Sequence, residues 1–405
     1  MHLSKFLSAV ALLALASGAA QAQISGDVVK IGVLNDQASV YADIGGKGTT
    51  VAAQMAIDDF GGKILGKPIE LVVGDNQNKP DVAVSVGTRW YDAENVDVII
   101  DGSASSTSLA ISQFTRERNK VFLASGPAAS DLTGKACSPN TIHYVYDTWA
   151  LAHGTGDAVV KSGGKSWFFI TADYAFGYAL ERDTSEVVKA AGGKVLGGVR
   201  APINTSDFSS FLLQAQASKA QIVGLANAGA DAINTIKQAS EFGIVEGGQK
   251  LAGLLVFLSD VHSLGLKAAQ GLQLTEAFYW DLNDKTRAWS KRFSEKMGGG
   301  RMPTMVQAGA YSEVMHYLKA VQALGSDADG KKVVDKMKEM KVEDDLLPGT
   351  IRADGRKVHD MYLFEVKKPS ESKGPWDYYK LIRTIPAADA FRPMDQGDCP
   401  LVKKS

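Results

Sequence analysis

Apolar residues in this chain come in short runs bounded by glycine, serine and asparagine, and the runs alternate with longer stretches where apolar positions recur at helical spacing. Val28 to Asn35, Ile69 to Val73, Val96 to Ile100 and Val121 to Ala124 are the first four runs, and each reads as a strand buried on both faces. Residues 49–60 and 82–91 predict helices between them. A third helix follows Val96 to Ile100 through Leu109, Ile111 and Phe114. A second β/α series begins near Ser166. It has strands at 167–171, 195–199, 222–226 and 251–258, and helices at 180–190, 208–217 and 232–242. The pattern closes with a strand at 273–280, helices at 286–297 and 307–324, and strands at 361–366 and 378–382. Strict alternation of this kind predicts the α/β class, with two open parallel sheets and a cleft between two lobes.

Ligands of open α/β sheets gather beyond the carboxyl ends of the strands, so the turns there carry the candidate chemistry. Val96 to Ile100 runs into Asp101-Gly102-Ser103-Ala104-Ser105-Ser106-Thr107 and then into the third helix. A strand that turns through small residues into a helix leaves free N–H groups at the positive end of the helix dipole, which suits a carboxylate or phosphate. The competing reading is that Ser105 or Ser106 caps the helix. Val121 to Ala124 repeats the device with Ser125-Gly126-Pro127-Ala128-Ala129-Ser130, and the glycine-rich loop 37–48 brings Tyr41 to the same edge.

Composition narrows the class. Lys and Arg together number 44 and Asp and Glu 45, a balance that gives no sign of a nucleic-acid partner. The chain opens with Met1-His2-Leu3-Ser4-Lys5, an apolar run from Phe6 to Ala16 and small residues ending at Ala20-Gln21-Ala22, which predicts a signal peptide over 1–22 and export. That run is shorter than the roughly 20 residues a bilayer span needs. Only Cys137 and Cys399 are present, and an exported chain is expected to pair them. Their two residues form no thiolate cluster, the six histidines are scattered, and H-E-x-x-H and G-x-S-x-G are missing, so no metal, no cofactor and no catalytic residues are expected. Gly61 to Lys67 has the spacing of a phosphate loop, but Pro68 stands where Ser or Thr should ligate magnesium. The charged stretch 331–345 reads as a solvated helix and loop.

The signal peptide, the SASST and SGPAASDLTG turns and the tract TADYAFG together resemble the type I periplasmic solute-binding proteins of ABC transporters, in the branched-chain amino acid (Leu/Ile/Val) binding family. YADIGG, ITADYAFG and GLANAG look more narrowly like a branch that includes receptors for aromatic carboxylates. The resemblance implies two lobes joined by three crossovers: 23–145 with 277–347, and 146–276 with 348–392, the tail 393–405 returning to the first lobe. It implies a non-enzymatic, monomeric receptor that closes on a small carboxylate and delivers it to an inner-membrane permease. Carried onto this chain, the carboxylate would meet Ser105, Ser106 and the backbone of Gly126 and Ala128. Tyr41, Tyr174, Phe176 and, more weakly, Trp149 would wall the ligand, and Asn227 would meet a polar substituent. Asp260 is the one acid placed to hold an ammonium group: if it faces the cleft an amino acid fits, and otherwise a ligand without an amine. A ligand-sensing receptor domain and, less favoured, a hydrolase using the same cleft are the alternatives.

Overall fold

A computed structural model describes residues 24–403; the signal-peptide expectation lies outside them. The first lobe is built on β1 (Val29–Asn35), α1 (Gly46–Phe60), β2 (Lys67–Asp75), α2 (Pro80–Ala93), β3 (Val98–Asp101), α3 (Ser105–Glu117), β4 (Val121–Ala124) and β5 (Thr141–His143). Its parallel strands lie in the order β2-β1-β3-β4-β5, with the short pair Lys63–Ile64 hydrogen-bonded antiparallel outside β2. All four residues of β3 are buried, as a central strand covered by helices on both faces requires.

The second lobe repeats the plan with β6 (Ser166–Ala172), α4 (Ala175–Ala190), β7 (Lys194–Ala201), α5 (Ser209–Ala217), β8 (Ile222–Ala226), α6 (Gly229–Glu241) and β9 (Lys250–Gly253), in the parallel order β9-β8-β6-β7. β9 is shorter than the predicted strand at 251–258. Residues 254–257 leave the sheet as bends and coil, and α7 (Leu258–Leu264) begins where the strand was expected to end. β10 (Gln273–Glu276) likewise stops short of the predicted 280.

From β10 the chain returns to the first lobe, where α8 (Asp284–Met297), α9 (Met305–Leu324) and α10 (Gly330–Glu339) add to its helical layer, α9 lying along α1. The charged stretch is less solvated than its composition suggests: α10 turns Val333, Val334 and Met337 inward. β11 (Met361–Val366) and β12 (Tyr379–Ile385) then pair antiparallel with β10, forming a separate three-stranded sheet instead of extending the parallel one. Among the described residues no helix is long and apolar enough to cross a membrane.

Three passages of chain thus connect the lobes, and two of them run side by side. The N–H of His143 donates to the Gly355 carbonyl at 2.9 Å, and Arg356 sends one guanidinium nitrogen to the Tyr146 carbonyl at 2.9 Å and toward Asp147 at 3.4 Å. Cys137 and Cys399 form a disulfide with a Cα separation of 5.7 Å, which returns the tail to the first lobe. Arg392 reinforces it by donating to the Ser130 carbonyl at 3.0 Å.

Candidate functional site

The two Ser/Gly turns of the first lobe face the second lobe across a cavity of about 370 Å³ of empty space, its mouth included. Tyr41, Ser105, Gly126, Ala128, Tyr174 and Phe176 line it, which brings six of the ten candidate residues together. Ile44, Gly45, Asp101, Ser103, Tyr146, Ala228, Leu255, Phe257 and Val306 complete the lining.

The first turn is more strained than its small residues suggested. Asp101, Gly102 and Ser103 all adopt positive φ, at 75°, 88° and 50°. For the two non-glycine residues this costs on the order of 1–3 kcal/mol each, and such strain clusters at ligand clamps. Hydrogen bonds to Asp101 hold the turn. Its carboxylate accepts from Asn35 Nδ2 and Thr49 Oγ1, both at 2.7 Å, and from the Ser103 N–H at 3.0 Å. Burial pushes its acid dissociation above the usual carboxylate range, and these donors partly offset the shift.

Ser105 is the first residue of α3 and not its cap; Ala104 holds the cap position without a side-chain bond. Ser105 Oγ instead accepts the N–H groups of Ala128 and Ala129 at 3.2 and 3.1 Å, tying the second turn to the first. Its own proton is left to donate. The Ala128 amide expected to face a ligand is therefore already paired, and the Gly126 amide approaches the Asp101 carbonyl at 3.4 Å. Gly126 contributes by shape: a Cβ there would lie 2.1 Å from Asp101 Oδ1, so only glycine lets the second turn close over the first. The first intrahelical bond of α3 runs from the Ser108 N–H to the Ala104 carbonyl, so the amides of Ser105, Ser106 and Thr107 precede the helix's own acceptors.

The opposite wall is aromatic. Tyr174 ends the loop after β6, Phe176 lies in the first turn of α4, and their ring centroids are 5.8 Å apart. Phe257 meets Tyr146 edge to face at 5.9 Å, and Tyr146 donates to the Gly126 carbonyl at 2.6 Å. Across the cleft Tyr41 and Tyr174 share a hydrogen bond of 2.5 Å between their hydroxyls. Beside it the Ala230 N–H donates to the Val40 carbonyl at 3.1 Å. Gly229, at φ 60°, permits that approach, because a Cβ would come within 2.3 Å of the same carbonyl.

Four candidates stand elsewhere. Ser106 is half-buried one residue beyond the lining. Trp149 stacks on His153 at 3.5 Å and does not reach the cavity. Asn227 is buried and donates to Thr235 Oγ1 at 2.9 Å, while its neighbour Ala228 takes the lining position. Asp260 neither lines the cavity nor faces solvent: in the first turn of α7 its carboxylate accepts the Phe257 N–H at 2.9 Å. Burial raises it to about 7. The early end of β9 explains the displacement, since Leu255 and Phe257 occupy the edge that Asp260 was expected to hold. Neither they nor Tyr146 sit in a periodic pattern that would mark them in the sequence. Asp101 and Ser103 do lie in the singled-out turn, and only their backbone conformation sets them apart.

No Lys, Arg or His lines the cavity, and no cluster suited to a metal ion occurs among the described residues. The free polar groups are hydroxyls and first-turn amides; apart from the Asp101 carboxylate, which protein donors hold, the remainder is ring and aliphatic surface. Two α/β lobes joined by crossing chain, with such a cavity between them, define a receptor that holds a small molecule by enclosure. The chain belongs to the periplasmic binding protein family, whose model matches residues 28–374. It is 55% identical to a periplasmic binding protein of Burkholderia mallei, covering 93% of this chain and 100% of that one with a TM-score of 0.91. It is 43% identical to a branched chain amino acid ABC transporter periplasmic ligand-binding protein of Burkholderia xenovorans, over 92% and 99% of the chains, with a TM-score of 0.80. A solute binding protein of an R. palustris ABC transporter, solved with benzoate, shares the fold at 22% identity, over 89% and 97% of the chains, with a TM-score of 0.78.

Proposed function

We propose that this protein is the extracytoplasmic binding component of an ABC importer, and that it traps a small aromatic carboxylate between its lobes without chemical turnover. The observation that carries the reading is the division of the cavity wall. One side offers hydroxyl and amide donors at the start of α3, and the other offers the rings of Tyr174, Phe176 and Phe257. A carboxylate placed by Ser103 and Ser105 would accept hydrogen bonds without a counter-cation, while a flat body packs against the rings. The acid expected to hold an amine, Asp260, is bound to its own helix, and Asp101 is held by three protein donors. An amino acid's ammonium would thus lack a dedicated partner. Contacts from both lobes mean that the ligand favours the closed form, which is the state a permease would recognise.

The benzoate-bound neighbour supports an aromatic acid, and the branched-chain relative supports the competing amino acid. A thermal-shift screen separates them. Benzoate and 4-hydroxybenzoate at about 100 times their Kd should stabilise the protein by about 2.7 kcal/mol. Leucine and valine should leave the midpoint unchanged. Stabilisation by leucine and none by the benzoates would overturn the ligand class, and hydrolysis of a bound ester would overturn the non-enzymatic reading.

A further inference from the structure

Outside the cavity lies a second and larger hollow of about 1030 Å³ of empty space, counting the part open to solvent. Both lobes form it. The first lobe contributes Asp43, two residues after Tyr41, together with Arg301 and the side of Phe293; the second contributes Ser259 and His262 of the α7 region, and Trp376 comes from the loop between β11 and β12.

Two observations mark this groove as built. Trp376 is held at φ 70°, a conformation that bulky residues rarely adopt, and its carbonyl is fixed by Tyr279 Oη at 3.0 Å and Trp280 Nε1 at 2.8 Å. Its ring stacks on the exposed His262, with centroids 3.9 Å apart and planes within 7°, while His262 Nδ1 and Tyr378 Oη are hydrogen-bonded at 2.8 Å. This makes a rigid aromatic face. On the facing lip Arg301 is about half exposed and pairs only with Asp43 at 2.8 Å among the ion pairs, leaving donors directed outward.

We infer that this groove is an outer binding subsite for a planar aromatic carboxylate, which packs on the exposed ring of His262, itself backed by the buried Trp376, and places its carboxylate toward Arg301. The inference rests on the proposed function only for the ligand class, since none of the groove's residues lines the inner cavity. Because the two lips belong to different lobes, an occupant there would favour closure as an inner ligand does.

The test uses 4-bromobenzoate, whose bromine is located by its anomalous signal in a crystal and whose stoichiometry is read by titration calorimetry. Two bromine peaks are expected, one of them in the groove beside His262 and on the side away from Arg301, with two ligands bound per chain. Arg301→Gln and His262→Ala change exposed side chains. Both should weaken the outer site at least tenfold, with Arg301→Gln keeping the melting temperature of the unliganded protein. A single peak in the inner cavity with a stoichiometry of one would overturn the inference and leave the proposed function standing. A peak in the groove alone would support the inference and count against the inner site as proposed. An outer peak that survives both substitutions would overturn it, as would an empty groove whose variants instead weaken coupling to a permease.

Discussion

The cleft and the hinge are both buried and polar, yet they handle polarity in opposite ways. Along the hinge nearly every charged group finds its partner within the protein. Arg356 is fully buried, donates to the Lys357 and Tyr146 carbonyls, approaches Asp147, and lies 4.6 Å over the Phe391 ring. Lys357 donates to the Leu347 carbonyl at 2.6 Å and sits 4.7 Å over Tyr144; burial lowers its dissociation to about 7. No Lys, Arg or His lines the inner cavity, and hydroxyls such as that of Ser105 accept from the backbone while keeping a proton to give. Charges whose partners are permanent hold the crossovers in register; neutral donors left unpaired can be satisfied by something that comes and goes. That difference can be broken at several points.

The largest effect is expected at the hinge. Arg356→Ala leaves Asp147 buried with its cation removed and opens the bonds between the two adjacent crossovers, so the loss should be on the order of 3–5 kcal/mol. Urea unfolding measures it. A loss below about 1 kcal/mol would show that the buried charges are not what holds the crossovers together.

Next come the carboxyls packed behind the cleft. Burial raises Glu276 to about 8, with Tyr379 donating to it at 2.9 Å, and raises Asp231 to about 7. A carboxyl whose dissociation is raised on folding contributes stability that is full below its unfolded value near 4.5 and is lost as pH rises through about 8. Glu276→Gln removes that loss. Relative to the parent protein, the variant should gain on the order of 4 kcal/mol between pH 5 and pH 9 in parallel urea melts. A constant difference across that range would mean that Glu276 is ionised in the folded protein.

The fold was far more legible in the sequence than the site, and particular residues show why. β4 at Val121–Ala124 and β8 at Ile222–Ala226 coincide with their apolar runs, because a strand buried on both faces admits little else. The run 251–258 was misleading for the same reason. Buried coil is as apolar as buried strand, so nothing in its pattern showed that Leu255 and Phe257 would leave the sheet to line the cavity and displace Asp260. Ser105 was singled out for a role toward a ligand, but its bonds to Ala128 and Ala129 join residues far apart in the chain, beyond what local reading can supply.

Ser105 therefore offers a test of intermediate size. Ser105→Ala removes the acceptor for two amides and one free donor. Aromatic-acid affinity should fall by about 1–2 kcal/mol, read by calorimetry, if that hydroxyl meets the carboxylate. Unfolding stability should also fall, because the two amides lose their partner. Loss of stability with unchanged affinity would restrict the residue to joining the turns.

The smallest effect is expected where the lobes touch each other directly. The Tyr41–Tyr174 hydrogen bond joins the two lobes, so under the proposed closing mechanism it would favour the closed form independently of any contact with ligand. Tyr174→Phe keeps the ring in the aromatic wall and deletes only that bond, whose net worth is about 0.5–1.5 kcal/mol. Because the closed form alone grips the ligand from both sides, the loss should appear as an affinity some 2- to 12-fold weaker, carried mainly by faster release. Tyr41→Phe should match it. The double substitution should cost no more than either alone, since both delete the same bond. Additive losses would instead mean that each hydroxyl meets the ligand separately, and the cleft would then owe its closure to the ligand alone.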